Sequence, residues 1–270
     1  MQASTSAMGL MAGASRNGTA GMATYQLRVR AGDRELLHGI DVEFPRRAIS
    51  AIIGPTGCGK TTLLRTLNRL HDGTSGMSVS GRVLLGERDV YRDFPNARDL
   101  RRRVGMVFQR PNPFPQTIQE NLSIGPRIHR LASRSRLHET VEEKLREVGL
   151  WDAVKDRLRS SPFQLSGGQQ QLLCLARALS VEPEVLLLDE PTSSLDPNTT
   201  ARIEQLMVKL RERMTVIMVS HNIGQVGRVA DHVLFLLAGE RVEFADKRTF
   251  FDQPADVRSR EYVAGEVARA

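Results

Sequence analysis

Gly54-Pro-Thr-Gly-Cys-Gly-Lys60-Thr61 fits the pattern G-x-x-x-x-G-K-[ST], directly after the apolar run Ile49–Ile53 and before Leu63, Leu64 and Leu67 at helical spacing. Glycines there let successive backbone N–H groups turn inward on an anion. The dipole of the following helix, the lysine and the hydroxyl complete a cradle for phosphate oxygens and a divalent cation. Gly54, Pro55, Thr56, Gly57, Cys58, Gly59, Lys60, Thr61 and the adjoining Thr62 are therefore the candidate phosphate-binding residues. A second apolar run, Val185–Asp189, ends in the carboxylate pair Asp189-Glu190. Unpaired buried acids are costly, so such a pair needs a cation or a reactive water. Beside a phosphate-binding lysine, Asp189 reads as holding Mg²⁺ and Glu190 as orienting or deprotonating the water that attacks a γ-phosphate.

Three further features carry chemistry only in company. Leu165-Ser166-Gly167-Gly168-Gln169 is by itself an N-cap serine with a flexible glycine pair before a helix, although its N–H groups and hydroxyl could face a phosphate supplied by another chain. Gln109 follows a strand-like run at 104–108, and His221 follows another at 216–219. A lone glutamine or histidine after a strand is usually structural or merely exposed.

The elements needed to position these residues can be read from periodicity. Residues 25–29 and 36–44 read as strands, the second alternating Ile40, Val42 and Phe44 with Asp41 and Glu43, and suggest an antiparallel edge. Ile49–Ile53, 104–108, Val185–Asp189, 216–219 and 233–237 are short apolar runs of the kind buried parallel strands show. Leu137, Val141, Leu145 and Val148 recur at helical spacing, with Ser135 as N-cap and Gly149 as stop. Ile203, Leu206, Met207, Leu210 and Met214 form a second stripe opposite Glu204, Lys209 and Arg211. Strands alternating with helices predict an α/β fold, a mostly parallel sheet covered on both faces. Residues 111–165 show helical patterns and Pro-rich connections without a strand and read as an inserted helical subdomain. Residues 1–23, rich in Ser, Ala, Gly and Met, read as a disordered tail that a start at Met22 would remove, and 266–270 as a C-terminal tail.

Composition bounds the function. The 270 residues are 40% apolar and 26% charged, as in an ordinary globular chain, and no run approaches the ~18 apolar residues of a membrane span. Two cysteines, Cys58 and Cys174, make no disulfide framework, and no secretory leader opens the sequence, so a reducing cytosol is expected. The net charge of +7, from 33 Arg and 5 Lys against 31 acids, allows nucleic acid, anionic lipid or phosphate ligands without choosing among them. Arginine bias from a GC-rich coding sequence explains it equally well.

The ordered set of the phosphate cradle at 54–61, Gln109, LSGGQ at 165–169, LLLDE ending at Glu190, Ser194-Leu-Asp196 and His221 resembles the ATP-binding subunits of ABC transporters over residues 25–265. The segment RRVGMVFQRPNPFP at 102–115, the triple Gln169, Gln170, Gln171 and EYVAG at 261–265 resemble, more narrowly, the phosphate-importing members. The resemblance implies a P-loop NTPase core with the helical subdomain inserted, a single ATP-binding domain over 24–265, and Mg²⁺-dependent ATP hydrolysis. It implies a head-to-tail homodimer in which ATP lies between the P-loop of one subunit and Ser166, Gly167, Gly168 and Gln169 of the other. Glu190 would be the general base and His221 a γ-phosphate contact. Gln109 would sense Mg²⁺ and the γ-phosphate, Thr61 and Asp189 would complete the metal site, and Asp196 would lie on the loop coupling the two sites. The partners implied are two permease subunits and a separate phosphate-binding protein, at the cytoplasmic face of the inner membrane. Two positions depart from the family pattern. Arg30 and Ala31 precede Gly32 where an aromatic usually stacks on adenine, so weaker base binding or stacking by Arg30 is expected. Leu172 stands where an arginine usually follows Gln171, a change expected to alter how the signature helix is held. The alternatives are an importer of another solute and, from the +7 charge and Arg101, Arg102 and Arg103, a non-transport ATPase acting on nucleic acid.

Overall fold

A computed structural model describes residues 20–265 apart from 132, 134 and 135. Ser135, expected as a helix cap, and the terminal segments 1–19 and 266–270 lie outside the described residues. In chain order the elements begin with β1 (Ala20–Ala31), β2 (Arg34–Pro45), β3 (Ile49–Ile53), α1 (Lys60–Thr66), β4 (Met77–Leu85), β5 (Arg88–Asp89), α2 (Ala97–Arg103) and β6 (Val104–Val107). A wholly helical stretch follows, α3 (Ile118–Ile128), α4 (Leu137–Glu147), α5 (Trp151–Val154), two 3-10 turns and α6 (Gly167–Leu179). The chain then returns through β7 (Val185–Asp189), α7 (Pro197–Leu210), β8 (Thr215–Val219), α8 (Ile223–Val229), β9 (His232–Leu237), β10 (Glu240–Asp246), α9 (Lys247–Asp252) and α10 (Val257–Ala264).

The main sheet has the order β10-β9-β3-β8-β7-β6, with parallel pairing throughout except for β10 against β9. Its central strands β3, β7 and β8 are buried at every residue, which is why they read as unbroken apolar runs. Alternate residues of each strand feed two cores. Leu186 and Leu188 face the helical side, where Leu122, Val141, Leu145 and Leu173 pack. Val185 and Leu187 face the other side with Leu27, Ile40, Phe44 and Leu63.

On that second side the expected N-terminal antiparallel strands, β1 and β2, join β4 and β5 in a sheet of their own, β2-β1-β4-β5, that shares a core with α1. The expected tail, however, does not reach residue 23. Strand β1 starts at Ala20, Met22 is fully buried, and Met22 pairs with both Phe44 and Leu85. A start at Met22 would cut into this strand. The α7 stripe also needs correction. Glu204 is buried and holds Arg228 and Gln225 instead of facing solvent, and Met214 is buried beyond the helix end.

Candidate functional site

Three glycines with left-handed φ, Gly54 at +147°, Gly57 at +80° and Gly59 at +106°, carry the chain from β3 into α1. A Cβ on Gly54 would meet the Leu236 carbonyl oxygen at 2.1 Å, so only glycine fits beneath the loop. The loop is braced from outside. Gly239 N–H donates to Cys58 O, His38 N–H donates to Gly239 O, and Tyr262, from the C-terminal EYVAG, stacks on Phe235 and meets the Gly54 backbone. Burial pushes the Tyr262 phenol up from its ordinary range.

Above the loop opens a cleft of about 840 Å³. Of the expected residues, Thr56, Gly57, Gly59, Lys60, Thr61, Thr62, Gln109, Glu190 and His221 line it. Cys58 does not. Its thiol is buried in the apolar core beside β2, which raises its pKa, so only its backbone serves the loop. Gly54 and Pro55 contribute carbonyls that accept from Lys60 Nζ at 2.8 and 2.7 Å. Thr61 Oγ1 donates to Asp189 Oδ1 at 3.0 Å, joining the helix start to the end of β7. Burial raises the Asp189 pKa, and the Thr61 hydroxyl only partly offsets this, so a nearby cation would favour its charged form.

The opposite wall is a triad around a single oxygen. Gln109 Nε2 donates to Glu190 Oε2 at 3.0 Å, and His221 Nδ1 lies 3.1 Å from the same atom. Glu190 holds a φ of +45°, an unfavourable conformation for a side chain with a Cβ. A smaller cavity of about 350 Å³ shares Glu190 and His221 and runs back to Ser220 and Gln225. There Gln225 Nε2 donates to Thr192 Oγ1 at 2.8 Å and Ser220 Oγ donates to Gln225 Oε1 at 2.9 Å.

Two expected groups do not line the cleft. Ser166 caps α6, accepting from Gln169 N–H at 3.3 Å while Gln169 Oε1 accepts from Ser166 N–H at 3.1 Å. This is a capping box exposed to solvent. Asp196 caps α7 through Thr199, whose N–H and hydroxyl reach it at 3.0 and 2.6 Å; those bonds lower the Asp196 pKa. The two caps adjoin, since a Cβ on Gly168 would meet Thr199 Oγ1 at 3.1 Å.

One wall of the cleft carries no motif in the sequence. Arg34, Glu35, Leu36 and His38 from β2 and Ala238 and Gly239 from the β9–β10 turn line it, whereas Arg30 bonds the Asp33 carbonyl and stays outside. Leu172 is buried in the main apolar core. Signature helix α6 is held instead by its neighbours, Gln170 Nε2 donating to Leu165 O and Gln171 Nε2 to Phe108 O and Pro191 O.

The sequence profile of the family described as ABC transporter matches residues 37–193, more than half the chain. The chain belongs to that family. Among curated proteins, the "Phosphate import ATP-binding protein PstB 2" of Mycobacterium tuberculosis (strain ATCC 25618 / H37Rv) is 50% identical over 244 residues, 90% of this chain and 88% of that protein. The "Phosphate import ATP-binding protein PstB 3" of Streptococcus pneumoniae serotype 4 is 46% identical over 247 residues, 90% of this chain and 99% of that protein. Among solved structures, an ABC transporter subunit from Clostridium perfringens, cbiO1, superposes with a TM-score of 0.75 at 26% identity, covering 92% of this chain and 97% of that one. A bacterial Atm1-family ABC exporter with ATP bound superposes with a TM-score of 0.77 at 25% identity, covering 98% of this chain and 45% of that one. Within the ABC family, the motif order and the parallel core described above make this chain an ATPase domain.

Proposed function

We propose that the chain is the ATP-hydrolysing subunit of an importer for inorganic phosphate, working as a homodimer beneath two permease subunits at the cytoplasmic face of the membrane. The observation that carries it is the convergence of Lys60, Thr61, Gln109, Glu190 and His221 on one cleft, in a chain half identical to phosphate-import ATPases over nine tenths of its length. Among the described residues no helix is long and apolar enough to cross a membrane.

Each residue's task follows from its place. Lys60 gives up the loop carbonyls for the β- and γ-phosphates, and the backbone N–H groups of 56–61 and the α1 dipole hold the remaining charge. Thr61 and Asp189 fit a divalent cation. They present two oxygens 3.0 Å apart, and burial of the carboxylate outweighs the attraction of Arg65 and Lys60, leaving its charge for a cation to stabilise. No group of three His, Cys, Asp or Glu among the described residues could hold a metal unaided, so Mg²⁺ would draw its other ligands from nucleotide and water. It would neutralise charge developing on the phosphates. Gln109 and His221 release Glu190 Oε2 and turn to the γ-phosphate, freeing Glu190 to take the proton of the attacking water. Ser166, Gly167, Gly168 and Gln169 supply the second wall from the other subunit, and Asp196 sits where that wall meets the first. Outside the cleft, no separate cargo pocket is needed, because a phosphate-binding protein and the permeases handle the transported ion.

The nucleic-acid reading loses support at the arginine run itself. Arg101 donates to the carbonyls of Asn68 and Arg69, and Arg103 pairs with Glu184, so two of the three arginines serve the fold. The test is uptake of radiolabelled phosphate by cells lacking this chain. Wild type is expected to restore it and Glu190→Gln not. Unchanged phosphate uptake with loss of a different solute would overturn the cargo.

A further inference from the structure

Gln171 sits in the second turn of α6, and its side chain is 1% exposed among apolar neighbours. Its amide nitrogen donates to two loops at once, to Phe108 O at 3.0 Å and to Pro191 O at 3.1 Å. Phe108 immediately precedes Gln109 and Pro191 immediately follows Glu190. One buried side chain therefore ties the backbone flanking both members of the 3.0 Å Gln109–Glu190 contact. Pro191 has no N–H, so its carbonyl is the backbone hydrogen-bonding handle available there.

The amide is a poor choice for packing alone. Gln171 Oε1 has no hydrogen-bond partner, and an unsatisfied buried acceptor destabilises the fold, which methionine in the same volume would avoid. What methionine could not supply is the pair of donors. Glu190 also needs outside constraint, because its φ of +45° persists only where neighbours over-determine it. The anchor of that constraint is the helix whose first turn is the Ser166–Gln169 cap.

We propose that Gln171 is a positioning residue for hydrolysis: from the signature helix, its amide sets the spacing between Gln109 and Glu190. In the homodimer of the proposed function, on which this rests, the first turn of α6 meets the nucleotide held by the partner while Gln171 governs the site of its own subunit. Phosphate seated at one site is thereby felt at the other.

The test uses the purified full-length chain as wild type, Gln171→Met, Gln109→Ala and the double variant. Gln171→Met is expected to lower kcat about tenfold or more while KM for ATP stays within about twofold, because positioning and not nucleotide binding is lost. The Hill coefficient for ATP is expected to fall to about 1. The double variant is expected to be no more than about twofold slower than Gln109→Ala, since both changes disable one device. A folded Gln171→Met with wild-type kcat, or losses that multiply in the double variant, would overturn the inference. If Gln171→Met does not fold, Gln171→Leu, which likewise has no donor, carries the same expectations. Equal hydrolysis by wild type and Gln109→Ala would instead overturn the reading of the cleft itself.

Discussion

The cleft and the start of α6 both look like phosphate sites, yet they satisfy their polar groups in opposite ways. Cleft side chains are held by one another: Lys60 by two carbonyls, Asp189 by Thr61, Glu190 by Gln109 and His221. Every one of those partners can be exchanged for a phosphate, a cation or a water. At Ser166 the bonds are local to a capping box, exposed to solvent and adjoining the Asp196–Thr199 cap of α7. The first region is a site that closes on itself; the second, in the function proposed above, is half of a site that another copy would complete.

Substitutions in the two regions should therefore fail differently. The largest effect belongs to the cleft. Glu190→Gln is expected to cut the hydrolysis rate about 10²–10⁴-fold with nucleotide binding retained, as loss of a general base does. Lys60→Ala should abolish binding along with turnover, measurable with a fluorescent ATP analogue. A Glu190→Gln chain that hydrolyses normally would remove the base from the account. Ser166→Ala comes next, with a fall in kcat of about tenfold or more and unchanged nucleotide affinity of the separated subunit. Losing that cap should also lower stability by about 1 kcal/mol, seen as a melting temperature lower by about 2–4 °C. If Ser166→Ala weakened binding by the isolated subunit, the division between the two regions would break.

The smallest effect has a pH signature. Burial raises the pKa of Asp189 in the folded chain, so its ionisation opposes folding above the ordinary aspartate range, and that cost disappears as the carboxyl protonates in acid. Asp189→Asn keeps an acceptor for Thr61 and is expected to raise the melting temperature of the nucleotide-free protein at pH 7 by about 2–4 °C. The gain should vanish as the pH falls below the ordinary aspartate value of 3.8. With nucleotide and Mg²⁺ present the sign should reverse, because wild type then gains a ligand that the neutral amide of the variant holds less well.

The same contrast governs what the sequence made legible. Parallel strands buried on both faces announce themselves as apolar runs, and β3, β7 and β8 lie where periodicity put them. Strands β4 and β10 were invisible. In β4, Gly81 interrupts the pattern because it lies against the Gln26 bulge of β1, where a Cβ would sit 2.2 Å from Gln26 O. In β10, Glu240, Arg241, Glu243 and Asp246 mask a strand whose Glu243 is buried to accept the Ala255 and Asp256 N–H groups. The phosphate end of the cleft was readable because its chemistry demands fixed residue types in consecutive order. The wall formed by Arg34, Leu36 and His38 was not, since these residues come from an ordinary strand and are gathered only by the fold. Likewise Gln171 and Gln225 act through buried hydrogen bonds between segments 20 to 63 residues apart, which no local pattern reports.

The central claim is that the α6 cap completes the cleft of a second copy. It is tested most directly by the mass of Glu190→Gln in solution, by light scattering, with and without Mg²⁺ and ATP. The account expects a monomer near 30.1 kDa that doubles in mass when ATP is added, and no doubling when Ser166→Ala or Lys60→Ala is placed in the same chain. An ATP-bound Glu190→Gln that stays monomeric, or a dimer indifferent to both substitutions, would contradict it.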